Sequence, residues 1–194
     1  MDYAIYRTRR GAMKILTSYY RLLLQFHQRN TGRFTKFFSL LIGTIFFLVI
    51  LPIILFLLSA WFGISWTLPP LVTDFLAVSS ILVGLVVLCW ATYSQLTRGG
   101  GTPAPNAPTQ HLVITGPYRY SRNPIEFGAL WYYFGVGVWF GSLFHGLICL
   151  LFGWIVGSVY HKFVEERELL LRFGHEYETY RNQTPFLIPK WPRK

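Results

Sequence analysis

The fold is decided by residues 125–160, which read IEFGALWYYFGVGVWFGSLFHGLICLLFGWIVGSVY. This run of 36 residues carries a single charge, that of Glu126. Its middle, GSLFHG at residues 141–146, predicts a turn between two short antiparallel helices. Glycines four positions apart occur in each half, at 137 and 141 and at 153 and 157. They indicate faces where helix backbones approach closely, although ordinary glycine enrichment in membrane helices explains them as well.

Two further apolar runs precede this hairpin. Residues 37–62 form an uncharged run of 26 residues. As a helix, such a run is about 39 Å long, more than the hydrocarbon core of about 30 Å. The excess predicts a tilt or a kink, for which Pro52 is the expected place. Residues 75–96 form the other run, opened by Asp74 and closed by a polar string over residues 97–111.

The composition is typical of a membrane protein. Of the 194 residues, 53% are hydrophobic and 13% are charged, about half the charged share of soluble domains. The length predicts about one domain, and the composition argues against a soluble globular enzyme and against a disordered chain. The net charge of +10 is explained by a membrane surface without nucleic acid. Cys89 and Cys149 lie in apolar runs and are expected to act as small hydrophobic residues.

The distribution of lysine and arginine predicts the orientation. Residues 1–36 carry eight of them, residues 97–124 carry three and residues 161–194 carry seven. The connections outside these pieces carry none. Four spans with both termini in the cytoplasm satisfy the positive-inside rule. They are expected at about residues 37–62, 75–96, 125–141 and 146–162.

The basic N-terminus differs from the rest of the chain. Residues 3–26 mix aromatic and aliphatic residues with Arg and Lys, which predicts an amphipathic helix on the anionic inner leaflet. A signal peptide does not fit this pattern, so residues 1–36 are expected to stay on the mature protein. The sequence thus predicts an all-α integral membrane protein. It has this interfacial segment, a transmembrane domain over residues 37–194 with about four spans including a short C-terminal hairpin, and a cytoplasmic C-terminal helix.

Polar residues suited to chemistry are concentrated in two cytoplasmic pieces, residues 97–124 and 161–189. The first contains the glycine triplet at 99–101, which frees the backbone for close approach to a ligand or serves as a flexible linker. It continues into GPYRYSRNP at residues 116–124. Arg119 and Arg122, three positions apart, would face the same way on a helical turn. They could bind one anionic group or anchor the chain to lipid phosphates.

The second piece is rich in acidic residues. Five of the eight acidic residues of the chain fall between Glu165 and Glu178. Carboxylates at the inner interface of a basic membrane protein are expected to face cations, either Arg side chains or a cationic ligand. His111 and His161 near the same interface are pocket candidates, with interfacial anchoring as the alternative.

Several elements occur here in a characteristic order. A glycine loop precedes LVITGPYRYSRNP, a helical hairpin follows, and then come EERELLLRFGHEYETY and a Pro-x-x-x-Pro ending. This order resembles the integral-membrane methyltransferases, which include isoprenylcysteine carboxyl methyltransferases and phospholipid N-methyltransferases. The resemblance covers roughly residues 85–190. Asn123 stands where the carboxyl methyltransferases usually have His, and Glu126 stands where many relatives have Tyr.

The resemblance implies a cytoplasm-facing S-adenosylmethionine site, with S-adenosylhomocysteine as product, a lipid or isoprenoid-linked acceptor and no metal. Arg122, Asn123 and Glu166 are the implied catalytic residues, and Glu126 and Arg167 the implied substrate contacts. The implied cofactor-binding residues are Gly99, Gly100, Gly101, Thr102, Val113, Gly116, Pro117, Tyr118, Arg119, Tyr120, Pro124, Glu165 and Glu166.

The physical chemistry of this set suits S-adenosylmethionine. Its sulfonium and ammonium match Glu165 and Glu166, its carboxylate matches Arg side chains, and Tyr118 or Tyr120 could make cation–π contact. A carboxylate acceptor would need an Arg to orient it, and an amine would need a carboxylate to take its proton. Both Arg and carboxylate side chains are present, so the sequence does not decide the chemical class of the acceptor. A non-enzymatic membrane scaffold and a sterol-reductase-like oxidoreductase are the alternatives.

Overall fold

The computed structural model describes residues 32–191, and all regular structure in this range is helical. Residues 1–31, which contain the whole of the predicted amphipathic helix, lie outside the described residues. The six α-helices of the described range are α1 (Arg33–Ile45), α2 (Leu51–Ala60), α3 (Pro70–Arg98), α4 (Pro124–Phe140), α5 (Leu143–Tyr160) and α6 (Glu166–Gln183). Two π-helical turns, Phe46–Ile50 and His161–Glu165, connect α1 to α2 and α5 to α6.

Three continuous helices of the described range are long and apolar enough to cross a membrane: Arg33–Ala60, Pro70–Arg98 and Leu143–Gln183. Large apolar side chains point outward along them, as Leu57, Phe75 and Val86 do. Such a surface is stable in lipid and unfavourable in water. The chain is therefore a membrane protein. The remaining predicted span corresponds to α4, which has 17 residues.

The short helix α4 lies at the centre of the bundle and packs against both α3 and α5. Glycines allow these close approaches. A Cβ added to Gly84 in α3 would lie 2.7 Å from the Gly128 carbonyl oxygen in α4. In the hairpin, a Cβ on Gly137 would lie 2.8 Å from the Cα atom of Gly146. The helices thus meet backbone to backbone, a mode of packing that suits helices in a membrane.

The helix boundaries differ from the predicted spans at two places. Helix α3 begins at Pro70, so Asp74 lies inside the helix rather than ahead of it. Proline is well placed there, because the first N–H groups of a helix have no partner within it. The long first helix continues through Pro52, with the π-helical turn Phe46–Ile50 just before it. The irregularity expected at Pro52 thus takes the form of a π-helical turn, wider than an α-helical one, just before the proline.

Candidate active site

The two polar pieces meet through an ion pair between Arg122 and Glu166. Arg122 Nη1 lies 2.7 Å from Glu166 Oε1, and the side chains are only 12% and 16% exposed. Arg122 belongs to the connection between α3 and α4, and Glu166 is the first residue of α6. A pair so shielded from water interacts more strongly than a surface pair. It therefore holds the start of α6 against the loop before α4.

The backbone before Arg122 is shaped by a glycine and two prolines. Gly116 has φ +66°, and a Cβ there would lie 2.9 Å from Ser94 Oγ, so this position requires glycine. A 3₁₀ turn over Gly116–Arg119 follows, with Pro117 in its first turn. Pro124 then begins α4. Because the 3₁₀ turn ends at Arg119, Arg122 lies outside it, and the expectation that Arg119 and Arg122 share a helical turn is wrong.

The C-terminal segment after α6 returns to this connection and fixes it from the other side. The Arg122 N–H donates to the Pro185 carbonyl at 2.9 Å. The Asn123 side-chain amide donates to the Phe186 carbonyl at 2.8 Å, and Ser121 Oγ donates to the Leu187 carbonyl at 2.8 Å. The Asn123 amide nitrogen thus has a structural partner in the C-terminal segment.

A cluster of buried tyrosines lies next to the ion pair. Tyr118 and Val113 from the connection pack with Tyr177 and Tyr180 from α6 and with Ala91 from α3. The Tyr180 hydroxyl donates to the Tyr118 carbonyl at 2.7 Å. Burial raises the pKa of the Tyr177 phenol to about 12, with Glu166 adding to the shift and the Arg122 guanidinium opposing it. These phenols are therefore neutral at physiological pH and act through hydrogen bonds.

Buried polar atoms of Gln95, Tyr118 and Arg122 lie near the ion pair, and within residues 32–191 they have no hydrogen bond of good geometry, although the Gln95 side chain is close enough to Tyr118 to lower its pKa. The atoms are Gln95 Oε1, Tyr118 Oη and Arg122 Nε. Burial of an unsatisfied polar group costs free energy, commonly about 1–3 kcal/mol. Burial raises the pKa of the Tyr118 phenol, Glu165 adds to the shift, and hydrogen bonding with the Gln95 side chain opposes it. The Gln95 oxygen can accept a hydrogen bond, the Tyr118 hydroxyl can donate or accept one, and the Arg122 guanidinium is a cationic donor. This set fits a polar ligand that carries charges of both signs.

The glycine loop is closed largely by its own hydrogen bonds. The N–H groups of Gly99 and Gly101 both reach the Gln95 carbonyl, at 3.0 and 3.4 Å. Thr102 is buried, and its N–H donates to the Ala107 carbonyl at 2.8 Å. A Cβ on Gly101 would lie 2.3 Å from the Pro108 carbonyl oxygen. The triplet therefore allows tight packing of the loop, and two of the N–H groups expected to face a ligand are used within it.

Two side chains from distant elements hold this loop at the ion-pair end of the bundle. Lys36 Nζ in α1 donates to the Gly100 carbonyl at 2.5 Å. Arg172 in α6 donates to the Thr109 carbonyl and pairs with Glu168 at 2.8 Å. Burial is the largest influence on Glu168 and raises the pKa of its carboxyl, while Arg172 opposes the shift. The start of α1, the glycine loop and α6 consequently lie at the same end of the molecule.

A second polar chain runs beneath the ion pair at the start of α4. Glu126 accepts a hydrogen bond from Ser158 Oγ at 2.9 Å. Glu126 Oε2 lies 3.6 Å from His161 Nε2, and the other ring nitrogen of His161 contacts Glu165. The chain links α4, α5 and the paired acids in one row.

The structure brings together some of the predicted residues and separates others. The ion pair of Arg122 with Glu166 lies near Tyr118, and Glu165 is next to Glu166 in the sequence. Tyr118 packs with buried Val113. Arg119 and Arg167 are exposed. Tyr120 instead packs between two tryptophans, with ring centroids 6.3 Å from Trp90 and 5.5 Å from Trp191.

Gln95 and Arg172 belong to this end of the molecule and were not among the predicted site residues. Gln95 interrupts the apolar end of α3, and Arg172 follows Glu168 by one helical turn. Both signals are visible in the sequence, but neither states which loop the side chain meets. Residues 32–191 contain no cluster of His, Cys, Asp and Glu arranged to hold a metal ion.

A family model of phospholipid methyltransferases matches residues 72–176, which is more than half of the chain. The chain belongs to the phospholipid methyltransferase family. The match begins in α3, passes through the glycine loop, the ion pair and the hairpin, and ends within α6. It confirms the resemblance to integral-membrane methyltransferases. No curated protein matches the sequence significantly. The protein is therefore a membrane methyltransferase by family, with α1 and α2 outside the matched region.

Proposed function

We propose that this methyltransferase transfers a methyl group from S-adenosylmethionine to a lipid-borne acceptor at the cytoplasmic surface of a membrane. The family match supports methyl transfer, and the long apolar helices support a lipid setting. We place the site where Arg122 and Glu166 join the two polar pieces, with Gln95 and Tyr118 beside them.

The observation that carries the proposal is the arrangement of charges and unsatisfied atoms at this junction. When bound, S-adenosylmethionine supplies a methyl group on a sulfonium, together with an ammonium and a carboxylate. Glu165 and Glu166 would attract the cationic groups, and the guanidinium of Arg122 would hold the carboxylate. Tyr118 and Gln95 would donate and accept the remaining hydrogen bonds. The catalytic contribution of these residues would be positioning, because methyl transfer requires an in-line approach of the two reactants.

The packing around the junction supports entry of the two reactants from different directions. The loop and α6 lie at the end of the bundle, where a water-soluble cofactor arrives. Helices α3, α4 and α5 present apolar side chains to lipid, so a lipid acceptor would enter sideways. We further propose four membrane crossings with both termini cytoplasmic, α4 being the short one. The contact of Lys36 with Gly100 supports this topology, because it brings the start of α1 next to the end of α3.

The test is calorimetric binding of S-adenosylhomocysteine to the full chain purified in detergent. We expect Arg122→Ala and Glu166→Ala each to weaken binding at least tenfold, which is about 1.4 kcal/mol. Arg181→Ala is the matched control, because Arg181 lies in α6 beyond its kink at Gly174 and pairs only distantly, at 4.0 Å, with exposed Glu178. Its affinity should equal that of the wild type.

Two outcomes contradict the proposal. If folded wild-type protein does not bind the product, the methyltransferase function of this chain fails and a non-enzymatic membrane role takes its place. If the protein binds and both alanine variants bind equally well, the cofactor lies elsewhere. A third measurement, transfer of labelled methyl groups into lipid extracts, establishes whether the acceptor is a lipid.

A further inference from the structure

The C-terminal segment, residues 184–191, has an inner side and an outer side. Its first four residues are buried or half-buried, whereas residues 188–191 are all exposed. The side chains of Ile188 and Trp191 are 72% and 83% exposed, and the exposed Lys190 lies between them in the sequence. The outer side of the segment thus offers two large apolar side chains and a positive charge to whatever it meets.

The inner side of the segment is bonded to the connection that carries Arg122. Residues 121, 122 and 123 each share a hydrogen bond with residues 185–187. The Lys190 N–H donates to the Tyr120 carbonyl at 3.0 Å, and the Arg122 guanidinium lies over the Phe186 ring, 5.6 Å from its centroid. Four consecutive residues of the connection are therefore tied to the segment, so the position of one determines the position of the other.

The end of the segment reaches the lipid-facing side of the bundle. The Trp191 ring lies 5.5 Å from the Tyr120 ring, which in turn lies 6.3 Å from the Trp90 ring. Trp90 is 46% exposed on the membrane-crossing helix α3, eight residues before its end at Arg98 and thus about 12 Å along the axis. Tryptophan and tyrosine are enriched where membrane helices leave the hydrocarbon core. This row of three rings therefore brings the exposed end of the segment to the membrane–water interface.

The charges around this row are positive. Arg98, Arg119 and Lys190 are all exposed. Residues 112–124 and 184–194 contain no acidic residue. Such a surface is complementary to anionic phospholipid headgroups. A second copy of the chain would present the same positive charges and be repelled, which favours lipid as the occupant of this surface.

We propose that the outer side of the C-terminal segment docks on anionic phospholipid headgroups, and that this docking holds the connection in the conformation that binds the cofactor. The inference rests on the proposed function, which puts the ion pair at the cytoplasmic surface, and adds regulation of the same site by the charge of the surrounding membrane. Ile188 and Trp191 would insert between headgroups, while Lys190 would contact a phosphate. A docked segment keeps Arg122 in place before the cofactor arrives, so less ordering accompanies binding.

The experiment uses the full chain in lipid nanodiscs of two compositions, phosphatidylcholine alone and phosphatidylcholine with about a third of phosphatidylglycerol. Calorimetry measures the binding of S-adenosylhomocysteine in each. The segment variant combines Lys190→Gln with Trp191→Ala. The matched control combines Lys162→Gln with Trp61→Ala, which removes the same residue types from exposed positions outside the segment.

A direct measurement of docking accompanies the binding data. A fluorophore on Ile188→Cys is quenched by phospholipid that carries a nitroxide on its headgroup, and the unsubstituted chain treated alike gives the background from Cys89 and Cys149. Circular dichroism establishes that each variant is folded. The readout for regulation is the ratio of the affinities in the two lipids, so a general loss of affinity in the segment variant does not imitate the effect.

We expect the wild type and the control to bind the product about threefold more tightly in the anionic nanodiscs, because the headgroups favour the docked segment. The segment variant should bind equally in both lipids. Salt at about 0.5 M should remove the gain of the wild type, since it screens exposed charges. The fluorophore at residue 188 should be quenched more strongly in the anionic nanodiscs.

Several results overturn the inference and leave the cofactor proposal standing. Equal affinity of the wild type in both lipids does so, as does a gain that the segment variant keeps or the control loses. Quenching that is the same in both lipids, or shielding of the fluorophore only when two copies share a nanodisc, contradicts docking on anionic headgroups. Failure of the wild type to bind the product in either lipid instead removes the proposed function, while the fluorophore still tests the docking surface, so the two failures are distinguishable.

Discussion

The Tyr132 hydroxyl of α4 donates a 2.8 Å hydrogen bond to the carbonyl oxygen of Leu48. In an α-helix that carbonyl would accept from residue 52, which is proline and has no N–H group. Tyr132 therefore satisfies a backbone acceptor in the widened turn Phe46–Ile50. Within a bilayer, water cannot take this role, so the side chain of one helix completes the backbone of another. The first long helix is attached in this way to the family-matched bundle.

The first prediction concerns this bond. Tyr132→Phe should lower the free energy of unfolding by about 1 kcal/mol, because the half-buried Leu48 carbonyl loses its donor. Tyr133→Phe is the matched control: its hydroxyl is buried without a partner in the described structure, so its removal should be neutral or stabilising. Unfolding in mixed micelles by denaturing detergent, followed by circular dichroism, measures both. Equal losses in the two variants would contradict the assignment.

The sequence predicts the helices well because apolar runs are a local, one-dimensional signal. The hairpin turn was expected within residues 141–146, and it lies there but is shorter, since α4 ends at Phe140 and α5 begins at Leu143. The start of α3 was placed too late, because Asp74 was treated as a boundary. Asp74 instead lies in the second turn of α3, inside the helix. Charge alone therefore marks the end of a helix poorly.

The site was less predictable because it depends on pairings between distant residues. Arg119 and Arg122 are equivalent in sequence, yet only Arg122 faces Glu166, since the 3₁₀ turn ends between them. Glu126 was visible as the single charge in an apolar run, but its link to His161 requires the packing of α4 on the helix that continues from α5. The sequence shows which residue types are present, but their partners are determined by tertiary packing.

The second prediction separates the structural part of the ion pair from its binding part. Arg122→Ala leaves Glu166 largely buried and unpaired, which should destabilise the protein by about 3 kcal/mol. The exchanged variant, Arg122→Glu with Glu166→Arg, should recover much of this stability by restoring opposite charges. It should still bind S-adenosylhomocysteine at least tenfold more weakly, because each charge then faces the wrong group of the ligand. Wild-type affinity in the exchanged variant would show that the pair serves packing alone.

The third prediction concerns the glycine loop. Gly101→Ala should destabilise the loop strongly, because the added Cβ would lie 2.3 Å from the Pro108 carbonyl oxygen. In Gly100→Ala the added Cβ would meet only the Gln110 side chain, at an ordinary contact distance of 3.8 Å, but φ stays at +68°, so the change should cost only about 1 kcal/mol. Unfolding measurements on both variants test this order. Gly43→Ala is the control, since a Cβ there meets nothing within 4 Å and alanine favours a helix. A larger cost at Gly100 would contradict the packing role of Gly101.

The fourth prediction tests the proposed topology. The connection between α2 and α3 contains no Lys or Arg, whereas the segments beside Lys36, Gly100 and Gln183 are basic. Thr67→Cys should therefore react with a membrane-impermeant maleimide in intact cells, and Gln183→Cys should react only after the membrane is permeabilised. The unsubstituted chain is the control for Cys89 and Cys149, which lie within helices α3 and α5. The Lys36 contact with Gly100 fixes the start of α1 and the end of α3 at one end of the bundle. Labelling of both variants from the same side of the membrane would therefore require three crossings. That result would overturn the four-span topology.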